Sequence, residues 1–250
     1  MTWKEDLARN LEVALNISAE AREIAARNGG PIKWTDPEKV SGWVVQALVE
    51  KATLDAFEKA KTEPLESPAK AFVGMKKKDI PSILSRLGFK AICEVGVFKG
   101  ENFRNLLLSN PTEAVAVDLW KDSTIDISES QRALNEMWEG MLRLAAEKPC
   151  MKVLRKASVD AAKLFDDWHF DFVYIDADHA YEGVKADIEA WWPKVRKGGI
   201  LAGHDYMAYT LYTDTQSIKF GVIEAVNEFS NRNGLKPVID AETDWFIEKK

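Results

Sequence analysis

From about residue 79 to the end of the chain, apolar segments alternate with segments of helical periodicity. Strands joined by helical crossovers run parallel, and a parallel sheet has helices on both faces, so its strands are apolar throughout. The last two apolar segments predict a terminal antiparallel hairpin, because only a short turn separates them. The pattern therefore predicts an α/β fold with a doubly wound, mostly parallel seven-stranded sheet. The predicted strands are KAICEVGVF, EAVAVDLW, CMKVLRKAS, FDFVYIDAD, GGILAGHDY, KPVIDAE and DWFIEKK.

The first part of the chain shows a helical pattern without strands. Leu7, Leu11 and Leu15 recur at the spacing that places them on one face of a helix. We therefore predict a helical N-terminal extension over residues 1–78 and a sheet domain over residues 79–250. The extension is expected to form a cap over the active site or a contact in a homo-oligomer.

The composition is that of a globular protein and excludes several classes of function. Of 250 residues, 46% are apolar and 30% are charged, and the net charge is −6. Nucleic-acid binding requires a concentrated basic face, and the short run Lys76–Lys78 is interpreted as a solvated helix start. No membrane segment is predicted, and the two cysteines are far apart in the sequence. We therefore expect a cytoplasmic protein without a membrane or nucleic-acid partner.

Ligands of doubly wound sheets bind at the carboxyl ends of the strands, and the first predicted strand ends in CEVGVFKGENF. Gly96 and Gly100 allow the backbone to approach a ligand, and the helix that begins near Glu101 presents free N–H groups. An ordinary strand–helix turn needs glycine as well. The spacing is not the G-x-G-x-x-G of dinucleotide-binding proteins, which disfavours a nicotinamide or flavin enzyme.

Two acids accompany this turn. Glu94 lies within the apolar strand, where an unpaired carboxylate would cost several kcal/mol. Asp118 ends the second strand, a position from which a carboxylate can accept hydrogen bonds from two ribose hydroxyls. A structural cap on the following loop is the alternative for Asp118.

The fourth and fifth strands end in YIDADH and LAGHDY. If these strands are neighbours, Asp176 lies near His204 and Asp205, and two carboxylates with one imidazole suit Mg²⁺ or Mn²⁺. His179 and His204 are the candidate catalytic bases, but a histidine that binds the metal cannot also accept the proton. We favour His204 as the ligand. Asp178 is either a helix cap or part of the chemistry, and a structural role for the whole group remains an alternative.

These motifs, in this order and spacing, resemble the class I S-adenosylmethionine-dependent methyltransferases over residues 80–250. Within them the chain is similar to the macrocin and caffeoyl-CoA O-methyltransferases, which have a Rossmann-like sheet. The cofactor-binding residues that the resemblance implies are Glu94, Gly96, Gly100, Asp118, Ser158 and Asp176, with Ala157 beside the adenine. The implied metal ligands are Asp176, His204 and Asp205, although the related enzymes carry an aspartate and an asparagine at the last two positions.

The resemblance implies methyl transfer from S-adenosylmethionine to a small-molecule hydroxyl, of a sugar or a phenol, assisted by a divalent metal. Specificity is expected to reside in the N-terminal extension and in residues 204–221. Two other functions stay open, a nicotinamide-dependent oxidoreductase on a similar sheet and a non-catalytic nucleotide-binding or interaction module.

Overall fold

The computed structural model describes residues 67–121, 130–212, 217–240 and 242–250. Most of the predicted helical extension over residues 1–78 lies outside these described residues. Its last part is described, and the short 3₁₀ helix Pro68–Phe72 packs on the sheet. The Phe72 ring stacks on Phe246 at a centroid distance of 4.1 Å and is completely buried.

The predicted seven-stranded, mostly parallel sheet with a terminal hairpin is confirmed. Its strand order is β3-β2-β1-β4-β5-β9-β8. The pairs from β3 to β5 are parallel, whereas β9 is antiparallel to both β5 and β8. Strands β6 and β7 form a separate antiparallel pair. The strands are β1 (Ala91–Val95), β2 (Glu113–Asp118), β3 (Met151–Arg155), β4 (Phe170–Ile175), β5 (Val195–Gly203), β6 (Thr210–Tyr212), β7 (Ser217–Lys219), β8 (Val238–Ile239) and β9 (Trp245–Glu248).

Helices connect the parallel strands. The described α-helices are α1 (Ile80–Arg86), α2 (Glu101–Leu106), α3 (Gln131–Glu147), α4 (Ser158–Ala162), α5 (Tyr181–Trp191) and α6 (Val222–Arg232). Further 3₁₀ turns cover Lys77–Asp79, Leu107–Ser109 and Trp192–Lys194. None of these helices is long and apolar enough to cross a membrane.

Both faces of the sheet are buried, which explains the unbroken apolar strands. Along β1, Ile92 belongs to one hydrophobic cluster and Cys93 to the other, and both are completely buried. Phe172 and Val173 divide in the same way along β4. Because neighbouring side chains point to opposite faces, an alternating polar pattern would leave one of the two clusters incomplete.

The register brings four strand ends to one level. Val95 of β1 pairs with Val117 of β2 on one side and with Ile175 of β4 on the other. Ile175 in turn pairs with Gly203 of β5. The residues that follow these pairs therefore lie side by side along the carboxyl edge of the sheet. The strand order reverses between β1 and β4, and ligands of such sheets bind at the carboxyl edge beside this reversal.

Candidate active site

Gly96 lies at the closest approach between two strand ends. Its backbone is left-handed, with φ +87°, and a Cβ atom would lie 1.9 Å from the backbone oxygen of Asp176. The adjoining groups are hydrogen-bonded, since the Asp176 amide donates to the Val95 carbonyl at 2.7 Å. Gly100 is also left-handed, and a Cβ there would lie 2.5 Å from the Met141 sulfur. The two glycines thus permit close packing within the protein, and their predicted contact with the cofactor stays a prediction.

Asp118 organises the loops that follow β1 and β2. One carboxylate oxygen accepts a hydrogen bond from the Phe98 amide and the other from the Trp120 amide, each at 2.7 Å. Both donors have positive φ, +47° for Phe98 and +39° for Trp120. The carboxylate therefore holds two strained turns, and each oxygen keeps a second lone pair that can accept from a ligand hydroxyl.

A residue that the sequence analysis did not identify stabilises the loop after β2. Arg155, at the end of β3, donates to the carbonyls of Leu119 at 3.2 Å and Trp120 at 2.5 Å. It also donates to the Asn135 side chain, and its guanidinium lies over the Trp138 ring. Because an arginine at a strand end is usually solvated, no sequence pattern indicated this role.

Glu94 is a buried acid with an unused acceptor. It is 1% exposed; Oε1 accepts from Asn102 at 3.1 Å, whereas Oε2 has no hydrogen-bond partner among the described residues. Burial raises the pKa of Glu94 to about 8, and the Asn102 hydrogen bond only partly opposes this effect. An unpaired acceptor at this strand end fits a ligand that carries an amino group.

The raised pKa of Glu94 predicts a pH-dependent stability. Between about pH 5 and pH 8 the folded state holds a proton that the unfolded chain has released, so the free energy of unfolding falls as pH rises, by up to about 1.4 kcal/mol per unit. Glu94→Gln keeps the shape without the titration and is expected to lose this slope. Urea unfolding across that range measures the difference between the two proteins. Parallel pH profiles would contradict the assignment.

Three side chains after β4 and β5 converge closely enough to hold one ion. Ligand atoms of Asp176, His179 and Asp205 all lie within 4.8 Å of one another. His179 Nε2 is 2.8 Å from the Asp205 carboxylate and 3.6 Å from that of Asp176. Burial alone would lower the pKa of His179, but hydrogen bonds to Asp176 and Asp205 raise it to about 9. Two hard oxygens and one imidazole nitrogen fit Mg²⁺ or Mn²⁺, which would displace the proton from His179 Nε2 because only a neutral imidazole binds a metal.

His204, the predicted metal ligand, lies beside this group and is hydrogen-bonded to a residue that does not belong to it. Its Nδ1 is 2.5 Å from the carboxylate of Asp244, and its Nε2 is 3.6 Å from that of Asp205. The hydrogen bond to Asp244 raises the pKa of His204, whereas burial and the ammonium of Lys77 lower it. The structure thus brings together Asp176 and Asp205 as predicted, with His179 nearer to both than the sequence indicated.

Lys77 reaches the same group, although the Lys76–Lys78 run was interpreted as a solvated helix start. That interpretation was wrong for Lys77, whose Nζ lies 3.5 Å from the Asp176 carboxylate and 5.0 Å from the centre of the Tyr174 ring. Its amide donates to the Glu242 carboxylate and its carbonyl accepts from Asn105. The backbone is thereby fixed so that the side chain enters the site.

An aromatic wall covers one side of the group. The Phe220 ring stacks on His179 at 4.6 Å, and Tyr209 contacts Phe220 edge-on at 5.1 Å. Tyr209 is 48% exposed, so its ring is available to a ligand. These residues flank the β6–β7 pair, within the segment 204–221 that was expected to carry specificity.

Two further predicted residues have structural partners. The Ser158 hydroxyl accepts from the Trp191 indole at 2.9 Å and also bonds to Asp187, so it faces α5. Its contact with the cofactor, like that of the preceding Ala157, stays a prediction. Asp178 accepts from the Ala180 amide at 2.8 Å, in the turn immediately before α5; Ala180 itself is the N-cap of α5, and no side chain among the described residues caps that helix.

Comparison with known proteins finds a family match within the sheet domain. Residues 93–206 match the family described as methyltransferase domain. An uncharacterized protein of Sinorhizobium fredii, y4gI, is 29% identical over 117 residues, which make up 44% of this chain and 11% of that protein. This chain therefore spans about a tenth of the length of that curated relative.

Solved structures share the fold. A Corynebacterium glutamicum protein superposes with a TM-score of 0.50 at 16% identity, covering 85% of this chain and 96% of its own. A Staphylococcus aureus protein described as a caffeoyl-CoA O-methyltransferase superposes with a TM-score of 0.51 at 13% identity, with coverages of 83% and 98%. At such identities the likeness concerns the fold alone.

Proposed function

We propose that this chain is a class I S-adenosylmethionine-dependent methyltransferase and that it methylates a hydroxyl oxygen of a small molecule, since residues 93–206 match the family described as methyltransferase domain. The observation that carries the proposal is the adjacency of two sets of polar side chains along one sheet edge. Asp118 and Glu94 stand at the ends of β2 and β1. The acid–histidine group, which consists of Asp176, His179 and Asp205, stands at the ends of β4 and β5. One set suits the cofactor and the other suits the acceptor.

The proposed cofactor site rests on two hydrogen-bond acceptors. Asp118 would accept the ribose hydroxyls with its remaining lone pairs, and the unpaired Oε2 of Glu94 suits the amino group of the methionine moiety. S-adenosylmethionine, when bound, supplies a methyl group on a positively charged sulfur. Arg155 keeps the loop after Asp118 in place, so the ribose acceptor is oriented before the ligand arrives.

The acceptor half includes a candidate metal site. We propose that Asp176 and Asp205 hold a divalent cation together with His179, because His179 Nε2 lies 2.8 Å from the Asp205 carboxylate and 3.6 Å from that of Asp176, whereas His204 Nε2 lies 3.6 Å from Asp205. A divalent cation, when bound, lowers the pKa of a hydroxyl and fixes its oxygen. The ammonium of Lys77, 3.5 Å from Asp176, already supplies positive charge at the same carboxylate.

His204 is then the candidate catalytic base. Its Nε2 faces the group while its Nδ1 is occupied by Asp244, so Nε2 can take the proton of the acceptor hydroxyl. Bound S-adenosylmethionine would supply the methyl group, and His204 would hold the proton that the acceptor hydroxyl loses. The rings of Phe220 and Tyr209 suit the flat face of a phenol or a sugar ring.

The cofactor is tested by a thermal shift and then by methyl transfer. S-adenosylmethionine and S-adenosylhomocysteine at millimolar concentration are expected to raise the melting temperature, because they bind only the folded state. NAD is the matched control, and a shift with NAD alone would favour the oxidoreductase. Radiolabelled methyl transfer to a panel of phenols and free sugars then identifies the acceptor. Cofactor binding without any methyl transfer would favour a non-catalytic binding module.

Removal of divalent metal tests the proposed metal site separately from the cofactor site. Incubation with EDTA is expected to lower methyl transfer by roughly 100-fold or more, and added Mg²⁺ or Mn²⁺ should restore it. The thermal shift with S-adenosylhomocysteine should persist in EDTA, since Asp118 and Glu94 lie outside the acid–histidine group. Full activity in the chelator would remove the metal from the proposal and leave methyl transfer intact.

A further inference from the structure

Asp244 is a completely buried carboxylate that no sequence motif singled out. It is 0% exposed, and its Oδ1 accepts from the Tyr174 hydroxyl at 2.8 Å and lies 2.5 Å from His204 Nδ1. Its Oδ2 has no hydrogen-bond partner among the described residues. A buried carboxylate is costly unless it is paired, so these two contacts to neighbouring strands account for its presence.

The terminal hairpin delivers Asp244 to the carboxyl edge of the sheet. Trp245 of β9 pairs with Gly203 of β5, and because these strands are antiparallel, the residue before Trp245 lies opposite the residue after Gly203. The turn before β9 is fixed as well, since Asp240 accepts from the Asp244 amide at 3.0 Å. Asp244 and His204 therefore meet through the backbone register, although forty positions separate them.

The contact sets the orientation of the imidazole. A carboxylate oxygen only accepts hydrogen bonds, so His204 must carry its hydrogen on Nδ1, and Nε2 is the nitrogen directed to Asp205 and the acceptor half. Without Asp244 the ring could rotate and present either nitrogen. Tyr174, which donates to the same oxygen, holds the carboxylate from the β4 side.

We propose that Asp244 is a positioning residue of the methyltransferase, which fixes His204 so that Nε2 faces the acceptor hydroxyl. The proposal rests on the proposed function, because it assigns His204 to the proton of the acceptor. Asp244 itself is sealed from the acceptor by burial and acts through His204. The same arrangement serves His204 if its Nε2 is a metal ligand, since a carboxylate behind a histidine also orients metal ligands.

The hydrogen on His204 can be observed directly. The chain has three histidines, so ¹⁵N-histidine labelling gives three rings, and His204→Gln assigns the ring in question. At a pH where the ring is neutral, the wild-type spectrum should show the hydrogen on Nδ1. Asp244→Ala should lose that preference. Asp187→Ala is the matched control, because it also deletes a buried carboxylate, 4% exposed, but in contact with Ser158 rather than His204.

The kinetic outcome separates positioning from stability. With the acceptor identified in the panel, Asp244→Ala is expected to lower kcat by roughly 10- to 100-fold while the KM for S-adenosylmethionine stays within about threefold. Asp187→Ala should leave kcat near wild type. A hydrogen on Nε2 in the wild type, or an unchanged spectrum in Asp244→Ala, would overturn the proposal. Failure of the proposed function would appear differently, as an absent cofactor shift with the His204 spectrum as expected.

Discussion

Gly96→Ala is expected to lower the melting temperature by roughly 6 to 12 °C and to abolish cofactor binding. The added Cβ would lie 1.9 Å from the Asp176 backbone oxygen, so the ends of β1 and β4 must separate. The left-handed backbone adds its own cost. Together these effects correspond to about 3 kcal/mol, which for a chain of this size shifts the midpoint by that amount.

Gly88→Ala is the matched control for this experiment. Gly88 is also left-handed, with φ +69°, but a Cβ there meets nothing within 4 Å. Gly88→Ala should lower the free energy of unfolding only by the conformational strain of about 1 to 2 kcal/mol, and the variant should still bind the cofactor. The difference between the two variants measures the clash at the sheet edge. Equal melting temperatures would show that the β1–β4 contact is not as close as described.

Asp118→Ala is expected to weaken S-adenosylmethionine binding by roughly 100-fold, about 2.7 kcal/mol, without affecting the affinity for Mn²⁺. The change removes the candidate ribose acceptor and leaves the Phe98 and Trp120 amides without their partner. Isothermal titration with S-adenosylhomocysteine and, separately, with Mn²⁺ alone measures both affinities. Asp118→Asn, which keeps one acceptor oxygen, should fall between the alanine variant and wild type.

Asp205→Ala is the reciprocal variant. It removes one carboxylate of the acid–histidine group, so Mn²⁺ affinity and methyl transfer should each fall by roughly 100-fold, whereas S-adenosylhomocysteine binding should change by less than about threefold. Because the two variants are expected to weaken different ligands, they assign the cofactor site and the metal site independently. The opposite ranking, with Asp205→Ala weakening cofactor binding more than Asp118→Ala, would contradict both assignments.

The sequence predicted the parts of the fold that depend on local pattern. Apolar strands such as AICEV and FDFVYI are long enough, and follow helices regularly enough, to indicate a parallel sheet. Because a parallel sheet aligns its carboxyl ends, the proximity of Asp176 to Asp205 followed from the fold class alone. Asp178 hydrogen-bonds in the turn before α5 rather than capping the helix, because α5 begins after Ala180 and has no side-chain cap among the described residues.

The residues that escaped prediction reach the site through contacts that no local pattern records. Asp244 arrives by antiparallel pairing of β9, and Lys77 arrives from a turn that precedes the first strand. Asp187 of α5 is 4% exposed and is hydrogen-bonded to Ser158. In each case a polar side chain meets a partner far along the chain, and composition and periodicity cannot identify that partner.

The left-handed turns at the sheet edge have a consequence for engineering this protein. Phe98, Trp120, Asp205 and Thr243 all have positive φ, and each adjoins or belongs to the candidate site. Such conformations cost of order 1 kcal/mol each outside glycine, so thermostability is most easily gained where the site is built. Trp120 and Phe98 pack in or against the hydrophobic core, so the gain is expected only at Asp205 and Thr243. A screen for heat resistance should therefore select glycine at these two positions, and the Asp205 variants that it yields should be poor catalysts.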